Sequence, residues 1–287
     1  MIAVKVSAMM FLPTQYLKPG MVLARDLFFS VSSNYHALLL GKGQRLTDIF
    51  INKIAMYNIT GVYIESALTS DIEIDEPLKP SLKKEILKDV KNAYEGFAAR
   101  TMLSDEGVDS LLDLAKTLVD DILSREKSMV NLIDLKSYDN YTYHHCLSVA
   151  LLSVTTGASL GLNRSCLNDL AFSALLHDIG KMVIPIEIIN KPSALTEEEY
   201  RIVQQHPQDA FLFLQRKHQI SAAVLGAIQS HHEKFDGTGY LSGKKGTQIP
   251  LYARILAVAD VFDALTSNRP YRKQCFPNEV IEYMMGC

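Results

Sequence analysis

Ala174-Leu175-Leu176-His177-Asp178-Ile179-Gly180-Lys181 closes an apolar run on a histidine, an acid, a glycine and a lysine. Polar and charged side chains in such a setting are seldom buried unless they are paired or bound to a metal. Two readings of the segment stand side by side. In one it is a helix C-terminus, with Gly180 as the cap and Lys181 complementing the helix dipole. In the other, His177 and Asp178 are held inside a core as ligands. Asp260 poses the same question in Leu256-Ala257-Val258-Ala259-Asp260-Val261-Phe262-Asp263-Ala264-Leu265. A carboxylate buried there alone would cost on the order of several kcal/mol, so it needs a cation unless it lies on a solvated helix face.

Outward from these two segments the histidines accumulate. Seven of the eight lie in the second half of the chain. His231-His232-Glu233 precedes a glycine-rich loop, Asp236-Gly237-Thr238-Gly239-Tyr240. Thr196 and Glu199 form a capping-box pair, predicting a helix from Glu197. Pro207 follows His206 and predicts a helix junction there. Each histidine alone is unremarkable. Together His145, His177, Asp178, His206, His231, His232 and Asp260 supply five imidazoles and two carboxylates within one helical region. That donor chemistry suits iron, manganese or zinc. The count exceeds the three or four ligands of a single catalytic zinc, and fits two metals sharing a carboxylate. Paired metals of this kind support in-line displacement at phosphorus.

The 287 residues are 48% hydrophobic and 21% charged, an ordinary globular composition spanning one or two domains. The net charge of −3 argues against a generally basic surface for polymeric nucleic acid. The cysteines (Cys146, Cys166, Cys275, Cys287) have no CxxC spacing and read as reduced thiols of a cytoplasmic protein. No apolar run approaches the roughly 20 residues of a membrane span. Residues 1–12 read as a strand rather than a signal peptide.

Residues 1–75 predict a small α+β unit. It has strands at 21–29, 37–40 and 61–64, a turn at Gly41-Lys42-Gly43, and a helix capped by Thr47 that runs to about Tyr57. An acidic, proline-bearing linker comes next. From Ser81 the pattern is helical. Leu82, Ile86, Val90, Tyr94 and Phe97 recur at helical spacing, as do Val108, Leu111, Ala115, Leu118 and Ile122. Two amphipathic helices covering a core explain this. A homodimer seam through helices 81–127 is the alternative.

The segments Tyr143-His144-His145, His177-Asp178-Ile179-Gly180-Lys181, Asn190-Lys191-Pro192, His206-Pro207, His231-His232-Glu233 and Asp236-Gly237-Thr238-Gly239-Tyr240 resemble the HD-GYP subfamily of HD phosphohydrolases. So does the stretch from Ile249-Pro250-Leu251 through Asp260 to Arg269-Pro270-Tyr271-Arg272. Residues 1–75 more weakly resemble a small domain found ahead of such domains. The resemblance implies a mainly α chain in three parts. These are a small N-terminal α+β domain with a regulatory role (1–75), linker and connecting helices (76–130), and an all-helical HD-domain bundle (131–287). It also implies a metal-dependent phosphodiesterase that opens cyclic di-GMP to pGpG, GMP or both. In that activity a hydroxide held by two divalent metals, iron first and manganese as the alternative, attacks phosphorus.

By position, His145, His177, Asp178 and Asp260 would hold the first metal. Asp178, His206, His231 and His232 would hold the second. Asp178 and Lys181 would be catalytic, and Gly239, Tyr240, Arg269 and Arg272 would bind substrate. Two departures stand out. Leu241 replaces the GYP proline and leaves φ unfixed. Tyr141 replaces the glutamate that supports a third metal in some members. Family chains usually continue past the position of Cys287, so a truncated C-terminus is expected. An HD phosphohydrolase of another nucleotide, and a non-catalytic cyclic di-GMP sensor, are the rival functions.

Overall fold

The computed structural model describes residues 9–32, 35–57, 59, 61–66, 78–99, 103–124, 141–189, 191, 193–267 and 275–286. They fall into two compact units, one before residue 76 and one after it.

The first unit holds β1 (Met9–Pro13), β2 (Leu27–Ser32), β3 (Tyr35–Leu40), α1 (Asp48–Met56) and β4 (Gly61–Glu65). β1 and β4 pair antiparallel, with Met10 opposite Ile64 and Leu12 opposite Val62. β2 and β3 form a separate antiparallel pair. Leu23, Leu40, Leu46, Ile54, Ile59, Val62 and Ile64 make one small core. Thr47 caps α1 as its sequence predicts, its hydroxyl accepting from the Phe50 amide at 3.4 Å. The strand expected over 21–29 is shorter and starts later. Val22 and Leu23 make only isolated bridges, to Arg45 and Ile64, because the chain bends at residues 24–25 before β2 begins.

The second unit is helical: α2 (Pro80–Ala98), α3 (Asp105–Leu123), α4 (Tyr141–Ser159), α5 (Arg164–Leu176), a 3₁₀ turn (Ile179–Val183) and α6 (Ile186–Ile189). Then come α7 (Glu197–Gln204), α8 (His206–Leu214), α9 (Ala222–Ser230), α10 (Leu251–Thr266) and α11 (Pro277–Met285). The protein is therefore mainly α, and the strands among its described residues all lie in the N-terminal unit.

α4 and α5 form the centre, packed together and against α2, α3, α9 and α10. α5 is apolar nearly all round, and every residue from Leu170 to Leu176 is buried, as a helix enclosed on all sides must be. Both predicted stripes, Leu82 to Phe97 on α2 and Val108 to Ile122 on α3, are buried in this same core. The apolar face that suggested a dimer seam is thus used within the chain. At about 1.5–3 kcal/mol per fully buried large apolar side chain, covering α4 and α5 is what holds α2 and α3 in place.

The capped helix starts set the phase of three helices. Asn163 caps α5 by accepting from the Cys166 amide (3.0 Å), and Ser221 caps α9 by accepting from the Val224 amide (3.3 Å). Thr196 and Glu199 form the expected capping box of α7. Each of these helices stops within two residues of a histidine: α5 at His177, α7 at the junction with His206, α9 at His231. The junction at His206 is the one Pro207 predicts.

α10 ends at Thr266, so Arg269 and Arg272 lie outside the described residues, as do Asn190, Pro192 and the Tyr141 side chain. Among the described residues Cys146, Cys166 and Cys275 are free thiols. No helix among them is long and apolar enough to cross a membrane.

Candidate metal centre

The seven predicted ligands converge. His145, His177 and Asp178 form one group, and Asp178, His206, His231 and His232 a second, each with its ligand atoms within 4.8 Å of one another. Asp178 belongs to both, and its two oxygens face different ways. Oδ2 lies 3.5 Å from His177 Nε2 and 3.7 Å from His145 Nε2. Oδ1 lies 3.3 Å from His206 Nε2 and 3.8 Å from His231 Nε2. Asp260 stands beside the first group, with Oδ1 3.1 Å from His145 Nε2. It is buried, so the solvated-face alternative for this carboxylate does not hold.

Three of the five imidazoles are oriented by one repeated device. Nδ1 of His177 donates to the Ala174 carbonyl (2.7 Å), that of His206 to Val203 (2.7 Å) and that of His231 to Ile228 (2.6 Å). A carbonyl can only accept, so each Nδ1 carries the proton and each Nε2 presents its lone pair to the centre. The His177 and His232 Nε2 atoms are buried without a hydrogen-bond partner. His206 Nε2 and His231 Nε2 stand only 3.4 Å apart. Lone pairs facing each other in a dry site repel unless a cation lies between them, so this donor set fits metal ions.

Electrostatics agree with neutral imidazoles at His177, His206 and His232 around charged carboxylates. Burial takes the His177 pKa down to about 4. Burial also lowers His206, and it lowers His232 with the help of neighbouring His231. Burial alone would raise Asp178, but the Lys181 ammonium 2.7 Å away outweighs it and holds the carboxyl well below its usual range. Burial likewise opposes the charge on Asp260, and its hydrogen bond with His145 outweighs burial and holds it low. His145 is the partner in that balance. Burial disfavours its charge, yet hydrogen bonds to Asp260 and Asp263 raise it to about 9.

Asp263 is a site residue that the predicted ligand sets do not include. It is buried, and its Oδ2 lies 2.7 Å from His145 Nδ1, completing a carboxylate–histidine arrangement that orients the ring and raises its basicity. The signal for it in the sequence is its position three residues after Asp260, on the same helix face.

Gly180 does not act as the expected left-handed cap. A Cβ there would lie 2.0 Å from the His206 carbonyl oxygen, so the glycine is required by close approach of the 3₁₀ turn to α8. Lys181 reaches back instead, with Nζ 2.7 Å from Asp178 Oδ2 and part of the side chain exposed.

The Gly-Tyr loop lies against the second group. A Cβ on Gly239 would sit 2.3 Å from the Lys234 amide nitrogen and 2.6 Å from the His232 carbonyl oxygen. Tyr240 stacks on His232, with ring centroids 4.9 Å apart and planes at 24°, and its amide donates to the His232 carbonyl at 3.2 Å. The Tyr240–Leu241 peptide is cis. Buried Glu233, which the motifs alone do not mark as functional, accepts from the Ser242 amide (2.7 Å) and the Lys244 amide (3.1 Å) and so fastens the loop.

A helical bundle whose helix ends bring two His/Asp donor sets onto one shared carboxylate defines a metal-centre domain. The HD domain family matches residues 117–286, and the chain belongs to that family. The HD-GYP resemblance read from the motifs therefore holds. The cyclic di-GMP phosphodiesterase PA4108 of Pseudomonas aeruginosa is 39% identical over 193 residues, covering 65% of this chain and 47% of its own length. The 3'3'-cGAMP-specific phosphodiesterase 1 of Vibrio cholerae is 42% identical over 166 residues, covering 58% of this chain and 38% of its own. The chain thus spans less than half the length of these two relatives. Among solved structures, Bd1817, an HDG"Y"P protein from Bdellovibrio bacteriovorus, superposes with a TM-score of 0.62 at 17% identity. That match covers 96% of this chain and 93% of the other, and shows a shared fold.

Proposed function

We propose that this chain hydrolyses a cyclic dinucleotide, cyclic di-GMP first, giving pGpG and then GMP. The observation that carries this is the split of Asp178, whose two oxygens face two buried donor sets. His145, His177, Asp178 and Asp260 would hold one divalent metal, and Asp178, His206, His231 and His232 the other. Iron is the first choice for this nitrogen-rich set, and manganese the second. When bound, such a pair supplies Lewis acidity toward the attacking and leaving oxygens of an in-line displacement.

The remaining roles fall to the chain itself. Asp178 and its ion pair fix the Lys181 ammonium beside the shared carboxylate, where it stabilises negative charge that builds on the phosphate as the 3′ oxygen leaves. Tyr240 braces His232 and offers an aromatic surface to a base, next to Gly239, whose bare backbone lets the loop lie close. Arg269 and Arg272 recognise phosphate or a guanine edge through their planar forks.

The relative named for 3'3'-cGAMP supports a second substrate of the same chemistry. The test is turnover by anaerobically purified, iron- or manganese-loaded protein on both dinucleotides, with products separated by chromatography. Faster release of pGpG from cyclic di-GMP is expected. Faster cleavage of 3'3'-cGAMP would reassign the substrate. Two bound metals with no cleavage of either would make the chain a sensor.

A further inference from the structure

Tyr94 lies on α2, outside both donor groups, and its hydroxyl sits at their back. It is fully buried. Its Oη lies 3.0 Å from Cys146 Sγ on α4 and 3.3 Å from the Leu175 carbonyl oxygen in the last turn of α5. Cys146 is the residue after His145, and Leu175 is two before His177. One hydroxyl thus touches both segments that carry the first donor group. The carbonyl can only accept, so the Tyr94 O–H donates to Leu175, and the Cys146 S–H donates to Tyr94 Oη. Helix C-termini leave their last carbonyls without intrahelical partners. In α5 the Ala174 carbonyl takes the His177 ring proton, and the next one, Leu175, takes Tyr94.

The ring itself is wedged in place. It meets Tyr143 edge-on at 5.6 Å, and α2 packs against both α4 and the 3₁₀ turn that comes after Asp178.

Resting on the metal reading above, we propose that Tyr94 is a positioning residue for the first metal site. It sets the spacing of His145 against His177 and Asp178 through a Cys146–Tyr94–Leu175 hydrogen-bond chain. The helix stripe explains only why an apolar ring occupies this position. A phenylalanine would fill the stripe equally well, and it is the hydroxyl that reaches the two ligand-bearing segments.

The experiment is a calorimetric titration of metal-free full-length protein with Mn²⁺, comparing the unaltered chain with Tyr94→Phe. The phenyl ring preserves the packing and removes only the hydroxyl. Loss of an outer hydrogen bond to a metal-ligand framework weakens affinity by about 10-fold to 100-fold. One of the two Mn²⁺ sites should therefore weaken at least about 10-fold, with the other within about twofold. A purely structural hydroxyl would lower the melting temperature and leave both affinities alone, and that result overturns the proposal. If circular dichroism shows Tyr94→Phe unfolded, Cys146→Ala carries the same test. It removes the sulfur from the chain of bonds, and selective weakening of one site supports the proposal while two unchanged affinities refute it. An unaltered chain that takes up no Mn²⁺ sinks the metal reading and this proposal with it. Two normal sites in a folded variant sink this proposal alone.

Discussion

Gly180→Ala separates two explanations of one residue by the sign of its effect. Gly180 has no positive φ, so an alanine meets no backbone penalty there. If the glycine served only as loose chain at the end of α5, alanine would restrict the unfolded state and stabilise the protein by about 0.4–1 kcal/mol. The structure dictates the opposite. The added Cβ would lie 2.0 Å from the His206 carbonyl oxygen, 2.8 Å from its carbon and 3.0 Å from its Cα, all backbone atoms. Real Cβ atoms do not come within 3.0 Å of such neighbours, so the 3₁₀ turn and the start of α8 must separate by about 1 Å. Overpacking of this kind costs about 1–3 kcal/mol. The displaced backbone carries His206 on one side and Asp178 on the other. A misplacement of about 1 Å in a catalytic framework costs about 100-fold in rate. Thermal denaturation of the metal-free protein reads the first number, and turnover of the metal-loaded protein reads the second. A Gly180→Ala protein that is more stable than the parent and binds two metals normally would refute the close-approach argument.

Asp263→Asn keeps the size of the side chain and removes the charge facing His145 Nδ1 at 2.7 Å. Metal affinity should fall about 10-fold to 100-fold, measured by Mn²⁺ titration, and an unchanged affinity would reduce Asp263 to a space-filling role. Two histidines contribute to the pH dependence of the metal-free protein in opposite senses. His177, taken by burial to about 4 from its ordinary 6.5, holds fewer protons folded than unfolded between those values, so its contribution is lost as pH falls through them. His145, raised to about 9 by Asp260 and Asp263 against the effect of burial, contributes below 6.5 and loses that contribution as pH rises toward 9. The protein should therefore be most stable near neutral pH, with His177 alone contributing about 3 kcal/mol to the acid side. Urea denaturation at pH 5, 6.5 and 8.5 checks this, and stability that rises from 6.5 to 5 would contradict it.

How much of this centre is legible in the sequence depends on how local each residue's reason is. His177, Asp178 and Asp260 announce themselves because polar donors interrupt apolar helices, and an apolar helix is a poor place for an unpaired charge. The α7 capping box and the α1 cap are equally local, since hydroxyl and amide are three residues apart. Asp263 needs one more step, from the spacing of acids to the side of the helix they share. Gly180 misleads because a glycine and a lysine after an apolar helix carry the local signature of a cap. Its actual constraint is the His206 carbonyl, brought in from a distant segment. Tyr94 is legible as core and not as hydroxyl, for the same reason: both partners arrive from other helices.

The orientation of the ligands joins the local and the distant causes. A helix C-terminus leaves carbonyls without amide partners, a feature usually treated as a capping problem. Here α5, α7 and α9 each present one carbonyl of the last turn, Ala174, Val203 and Ile228, to the Nδ1 of the histidine three residues on. The same carbonyls that end each helix fix the tautomer and direction of its imidazole. Three helices that stop within two residues of a histidine, with starts pinned by Asn163, Thr196 and Ser221, therefore aim three Nε2 lone pairs inward without any further side chain. His232 is braced instead by the stacked Tyr240 ring, and His145 shows why a ligand can lack a helix end. It lies in the first turns of α4, where the free backbone groups are amides rather than carbonyls, so its Nδ1 has no helix end to lean on. A carboxylate had to come from α10 instead, and Asp263 is that carboxylate.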